Sequence, residues 1–161
     1  MGDLRLLTMS YWGFDGSVHA GEMVVNRSVA DDVLKIFGML FDSRFAIARM
    51  ELVDVYGADD GLSMAADNTS AFNCRQVTGG TTWSEHAYGW AIDINPVQNP
   101  YVTGGTVLPP AGEKYLDRSR KPPGMIHAGD LVTLAFESIG WGWGGNWVAF
   151  QDYQHFSATG K

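Results

Sequence analysis

The sequence predicts a loop-rich α+β domain, and three observations carry that expectation. Twenty of the 161 residues are glycine, which implies many tight turns and argues against a helical bundle. Residues 28–41 and 128–139 repeat apolar side chains at helical spacing. Between them, residues 46–56 and 89–95 alternate with the period of two of a strand. Apolar residues make up 45% and charged residues 18%, the balance of a globular chain. The length suits one core, so residues 1–161 are expected to form a single domain.

Along the chain, residues 1–27 look irregular. Tyr11-Trp12-Gly13-Phe14-Asp15-Gly16 reads as an aromatic flap packed on the core. The first helix starts at Ser28 as N-cap, with Asp31 three residues on and Asp31 and Asp32 at the positive end of the dipole. Val29, Val33, Ile36, Phe37, Leu40 and Phe41 form its buried stripe, and Asp31 and Lys35 an exposed i,i+4 pair. In 46–56, Ala48, Met50 and Leu52 alternate with Arg49 and Glu51, predicting a strand. Residues 57–68 read as a polar turn around Asp59-Asp60-Gly61. Residues 69–80 read as a short strand entering a loop through Gly79-Gly80, with Arg75 close enough in sequence to His86 to share a cleft.

Residues 89–95 should form a central strand, with Trp90, Ile92 and Ile94 on one face and Ala91, Asp93 and Asn95 on the other. An aspartate there is costly unless it is paired or bound to a metal. Residues 97–125 hold five prolines and little periodicity, as expected of a structureless lid, binding loop or insertion. His127 reads as a surface or capping residue. The second helix buries Val132, Ala135, Phe136 and Ile139 and stops at Gly140. Trp141, Trp143 and Trp147 lie among glycines, where they can either close the core or stack on a ligand.

The net charge of −7 argues against nucleic acid or an anionic membrane as partner. One cysteine, Cys74, excludes an intrachain disulfide and a four-cysteine zinc site. No apolar run is long enough to span a membrane, and Met1-Gly-Asp-Leu-Arg5 has no signal-peptide character.

The chemistry-bearing residues fall in two stretches: Ser84-Glu-His86-Ala-Tyr-Gly89-Trp-Ala91-Ile-Asp93 and Asp152-Tyr-Gln-His155-Phe156. A turn at Gly89 can fold His86 back toward Asp93. Asp152 and His155 converge only if a turn separates them, because an odd spacing on a strand sends them to opposite faces. Two neutral imidazoles and one carboxylate would hold Zn²⁺ with an open fourth position. Asp152 could then move a proton from water to the leaving amine, and Arg75 could stabilise the oxyanion. Spacing alone is equally compatible with two buried, hydrogen-bonded histidines.

The motif Ser84-x-His86-x-x-Gly89-x-Ala91-x-Asp93, followed by Asp152-x-x-His155-Phe156, resembles the signature of the M15 zinc peptidases. These include D-Ala-D-Ala carboxypeptidases and dipeptidases and the L-alanyl-D-glutamate endopeptidases of phage lysins and bacilli. Thr69-Ser-Ala-Phe-Asn-Cys-Arg75 and Trp141-Gly-x-Gly-Gly-x-Trp147 resemble further segments of that family, in family order over residues 64–157. The resemblance implies the hedgehog/DD-peptidase fold, in which a small antiparallel sheet flanked by helices carries a zinc site. It implies His86, Asp93 and His155 as zinc ligands, Asp152 as catalytic base and Arg75 as the oxyanion- or carboxylate-binding arginine. Ser84 and Trp147 become supporting or substrate-facing residues. The implied substrate is the peptide stem of peptidoglycan, met at the cell wall by a monomeric enzyme that is secreted or phage-delivered. A zinc-containing wall-binding module of the same fold, without catalysis, is the alternative. Two positions depart from the pattern. Asp152 stands where the carboxypeptidase and dipeptidase branches place glutamate, which leans toward the endopeptidases, and Cys74 stands where an aromatic is usual.

Overall fold

A computed structural model describes residues 3–77 and 80–160. Met1, Gly2 and Gly79 of the Gly79-Gly80 pair lie outside the described residues. The chain starts with a hairpin rather than the expected flap: β1 (Leu4–Trp12) pairs antiparallel with β2 (Val18–Asn26). The alternation was present on either side of the aromatic run. Leu7, Met9 and Tyr11 are buried while Thr8 and Ser10 are exposed, and Met23, opposite Leu7, and Val25 continue the apolar face. The aromatic run ends β1 with Tyr11 and Trp12 and enters the hairpin loop at Gly13. Gly13 N donates to Ser17 O at 2.8 Å, and the Asp15 carboxylate accepts from Ser17 N at 2.9 Å.

Helix α1 (Ala30–Asp42) packs on this hairpin through Val33, Ile36, Phe37 and Leu40. Ser28 is not its cap. Ser28 sits in a 3-10 turn, Arg27–Val29, whose start is capped by the Asn26 side chain accepting from Ser28 N at 3.0 Å. Lys35 pairs with Asp32 at 3.3 Å, one residue from the expected Asp31.

Residues 46–56 do not form the expected strand. Ala46 bridges Trp12, Arg49 bridges Asn68, and the segment ends in a 3-10 turn, Val53–Tyr56. Its backbone groups are satisfied one at a time. Met50 O accepts from Glu22 N at 2.9 Å, Ala48 N donates to the Asn95 side chain at 3.0 Å, and the Asn68 amide meets Glu51 N and O at 2.8 and 2.9 Å. The polar stretch after it contains helix α2 (Asp60–Ala65), capped by Asp59 accepting from Leu62 N at 2.9 Å.

The remaining elements are β3 (Ala91–Asp93), β4 (Tyr101–Thr103), β5 (Thr106–Leu108), α3 (Leu131–Glu137), β6 (Gly142–Trp143), β7 (Gln151–Asp152) and β8 (His155–Ser157). They build two three-stranded antiparallel sheets, ordered β3-β8-β6 and β5-β4-β7. The fold is thus α+β, with small antiparallel sheets and a few short helices. Behind β8, Phe156 stacks on Phe136 of α3 at 4.1 Å, and Ile92, Ile94 and Ile126 complete the buried centre. Trp141 and Trp143 belong to this core, whereas Trp147 does not. Among the described residues, no helix is long and apolar enough to cross a membrane.

Residues 97–125 are structured, against expectation. Gly104 and Gly105, with φ of 52° and 86°, turn the β4–β5 hairpin. Buried amides then fasten the segment to the core. The Asn95 and Asn99 side chains each donate to Gly124 O, at 3.1 and 2.9 Å, and Asn99 Oδ1 accepts from Ile126 N at 2.8 Å. Arg118 donates to Gln98 O at 2.8 Å and lies over the Tyr153 ring at 4.3 Å. None of this leaves a hydrophobic period to find in sequence.

Gly89 joins the first hairpin to the central sheet. Its φ is +71°, its carbonyl accepts from Asn26 N at 2.9 Å, and a Cβ would lie 2.6 Å from that nitrogen. Gly89→Ala should therefore destabilise the protein by about 1–3 kcal/mol or more. Urea unfolding midpoints check this, and an unchanged midpoint would contradict it.

Candidate active site

Ser84 begins the site. Its hydroxyl oxygen accepts from His86 N at 3.3 Å and caps a 3-10 turn, Glu85–Tyr88, that carries His86. Gly89 ends the turn, so the chain reverses into β3, as the motif's glycine suggested. His86 is 2% exposed. Its Nδ1 lies 2.6 Å from Ala71 O. A carbonyl only accepts, so Nδ1 carries the proton and Nε2 turns inward.

Asp93 and His155 face each other directly in the β3–β8 register. His155 Nδ1 is 3.0 Å from Asp93 Oδ1, and His86 Nε2 is 3.2 Å from both Asp93 Oδ2 and His155 Nδ1. Two side chains 69 residues apart in sequence thus meet over one carboxylate. The odd spacing of Asp152 and His155 is resolved by the Tyr153-Gln154 turn, which places them on strands of different sheets. His86, Asp93 and His155 form a group whose ligand-type atoms all lie within 4.8 Å of one another.

The electrostatics of the two carboxylates diverge. Burial pushes the Asp93 carboxyl upward, but the His86 charge and the hydrogen bonds from His155 and His86 outweigh it and hold Asp93 far below the usual carboxylate range. Burial, reinforced by the Asp93 charge, pushes Asp152 up to about 6. Asp152 Oδ1 is buried without a hydrogen-bond partner in the cleft. Gly144 leaves room for it, since a Cβ there would lie 2.6 Å from Asp152 O. Because His86 Nδ1–H is committed to Ala71, the contact of Nε2 with a carboxylate needs a positive charge between them, either a second proton or a cation.

Arg75 reaches the same cleft. Its Nε is 2.9 Å from Asp60 Oδ1, and its backbone O accepts from Ser84 N at 3.1 Å. Trp147 stands 5.4 Å from the His155 ring, centroid to centroid, and its indole N–H donates to Gly160 O at 3.1 Å. All seven site residues expected from sequence line one cleft of about 680 Å³. The sequence reading missed Asp60, Tyr101 and Phe150, which line it too. Asp60 looked like part of a turn, and Tyr101 and Phe150 lay in segments without a period; nothing local marks them. His127, by contrast, lies outside this cleft, half-buried beside the cap of α3.

Comparison with known families supplies an independent finding. A family model described as D-alanyl-D-alanine carboxypeptidase matches residues 78–158, about half of the chain. No curated protein and no solved structure matches. The matched segment contains both halves of the His86, Asp93 and His155 cluster; Asp60 and Arg75 precede it. A motif of that order, folded into one buried cluster inside that match, means that the chain belongs to the M15 peptidase family, in the group described as D-alanyl-D-alanine carboxypeptidase.

Proposed function

We propose that this protein is a zinc-dependent peptidase that hydrolyses the peptide stem of peptidoglycan, at the L-Ala-D-Glu or the D-Ala-D-Ala bond. The donor set of His86 Nε2, Asp93 and His155 Nδ1 carries the reading. His86 Nε2 and His155 Nδ1 are 3.2 Å apart, in agreement with the ~3.3 Å edge of a tetrahedron whose metal bonds are about 2.0–2.1 Å, and each meets one oxygen of the Asp93 carboxylate, at 3.2 and 3.0 Å. A cation there also answers the need for positive charge at His86 Nε2. Three protein ligands leave the fourth position open, the pattern of a catalytic rather than a structural site. Bound there, zinc polarises the scissile carbonyl and lowers the pKa of water to roughly 7.

The chain's own residues do the rest. Asp152, with its unpartnered Oδ1 in the cleft, accepts the proton of the attacking water and returns it to the leaving amine. Burial raises its proton affinity, to about 6 in the metal-free cleft, and a cation beside it would draw that value down again. Arg75 offers N–H donors to the oxyanion or to a substrate carboxylate. The Ala71 carbonyl holds the His86 ring in one orientation, Ser84 holds its turn, and Trp147 walls the His155 side. Residues 1–161 act as one domain and as a monomer, at the cell wall, reached by secretion or phage delivery.

Metal analysis together with mass spectrometry of digested muropeptides tests the proposal. One zinc per chain and new amine termini are expected, and Asp152→Ala should lose about 10²–10⁴-fold in activity. Full activity in that variant would sink the assignment. Zinc without new termini would point instead to a wall-binding module. Chelation should lower the thermal midpoint, since a metal held only by the folded state stabilises it by mass action. As base, Asp152 must be ionised, so activity should rise with pH along a limb centred at or below about 6, the neighbouring cation favouring the carboxylate. A limb centred above 7 would exclude Asp152 as the base.

A further inference from the structure

Arg75 is held within the cleft on two sides, and on one of them its Nη1 donates to Gln76 O at 3.3 Å. Asp60 Oδ1 lies 2.9 Å from its Nε, and the two side chains retain 22% and 24% exposure. The same Asp60 oxygen accepts from Asn73 Nδ2 at 3.2 Å. Asn73 is 4% exposed, and its backbone N donates to His86 O at 3.1 Å. Asp60 is thus fastened to the turn that carries His86, while its own helix, α2, is capped by the preceding Asp59. Both Asp60 and Arg75 lie ahead of the segment that the family model matches.

A free arginine spreads over many rotamers, and ordering it on substrate costs that freedom. A carboxylate paired with the Nε edge, together with Gln76 O on Nη1, holds the planar fork and leaves Nη2 to face a substrate group. The two candidate bonds share one chemical feature that such a fork can use. The residue after the scissile amide bears a free carboxylate in both: the terminal carboxylate of D-Ala, or the α-carboxylate of a D-Glu linked through its side chain.

We propose that Asp60 is a positioning residue, which holds the Arg75 guanidinium toward the substrate carboxylate next to the scissile bond and so sets the preference for acid over amidated stems. This rests on the reading of the cleft as a stem-peptide site. Asp60 itself touches Arg75 and Asn73, not the reacting atoms.

The test compares zinc-loaded wild type, Asp60→Ala and Asp60→Asn on two stem peptides, identical except that one carries the carboxylate after the scissile bond and the other its carboxamide. Asp60→Ala should raise KM for the acid peptide by about tenfold, leave KM for the amide within about twofold and leave kcat within about threefold. Asp60→Asn keeps the shape but not the charge that pairs with the guanidinium at 2.9 Å, so its acid preference should fall between those of wild type and Asp60→Ala. An unchanged preference in Asp60→Ala overturns the proposal. So does an equal rise in KM for both peptides, which marks a merely structural role, or a loss in Asp60→Asn as complete as in Asp60→Ala. If Asp60→Ala does not fold, Asp60→Asn and Asp60→Ser carry the same comparison, the short serine being expected to lose the preference. Should wild type cleave neither peptide, the peptidase proposal falls. Calorimetric affinities for the same two peptides then decide the role of Asp60 by the same pattern.

Discussion

The antiparallel pairing of β3 with β8 is the constraint on which the site depends. It puts Asp93 directly opposite His155 and forces a carboxylate and an imidazole into contact inside a buried sheet. Leaving that carboxylate unpaired would cost several kcal/mol, so the register and the polar cluster fix each other. A slip of one residue would turn Asp93 into the apolar core and bring Ile92 to the cleft. The Phe136–Phe156 stack at 4.1 Å guards against that slip, because Phe156 fills the opposite face of the same short strand.

Around this pair, the rest of the chain works as a frame. The first hairpin and α1 form a platform, and Gly89 lets the His86 turn rest its backbone on the end of β2. Ala71, reached through the irregular stretch after α2, fixes the His86 ring. The β4–β5 hairpin borders β7 with Tyr101 opposite Asp152, so the segment that looked like a free lid supports the strand of the proposed base. Polar side chains do much of this fastening. Asn68, Asn95, Asn99 and Arg118 stitch irregular backbone to the core where sheet ladders are too short to do so.

The site was largely legible before folding because M15-type residues keep a fixed local order: a capped turn, a glycine and an aspartate on a strand, then an aspartate and a histidine around a second turn. Each half is encoded within ten residues. Helices α1 and α3 were legible as well, since apolar side chains at helical spacing leave a trace whatever they pack against, whereas the short, polar α2 was not. Two of the expectations that failed did so for opposite reasons. Residues 46–56 alternate like a strand, but their hydrogen-bond partners come from β2, Asn68 and Asn95, which do not form a common edge. In residues 1–27 the strand alternation was real but was masked by the aromatic loop in its midst.

The sequence by itself determined the α+β class, the two helices, the residues of the cluster and their family, because these rest on local periodicity and motif order. Only the tertiary structure decided that His86 Nε2, Asp93 and His155 Nδ1 converge within about 3 Å of one another. It alone decided that Asp152 stands half-buried beside them with its Oδ1 enclosed and that Asp60 pairs with Arg75. Contacts between residues far apart in the chain depend on strand register and on how layers pack. Neither is written in any single stretch, including the one from Ser84 to Asp93 that holds half of the site.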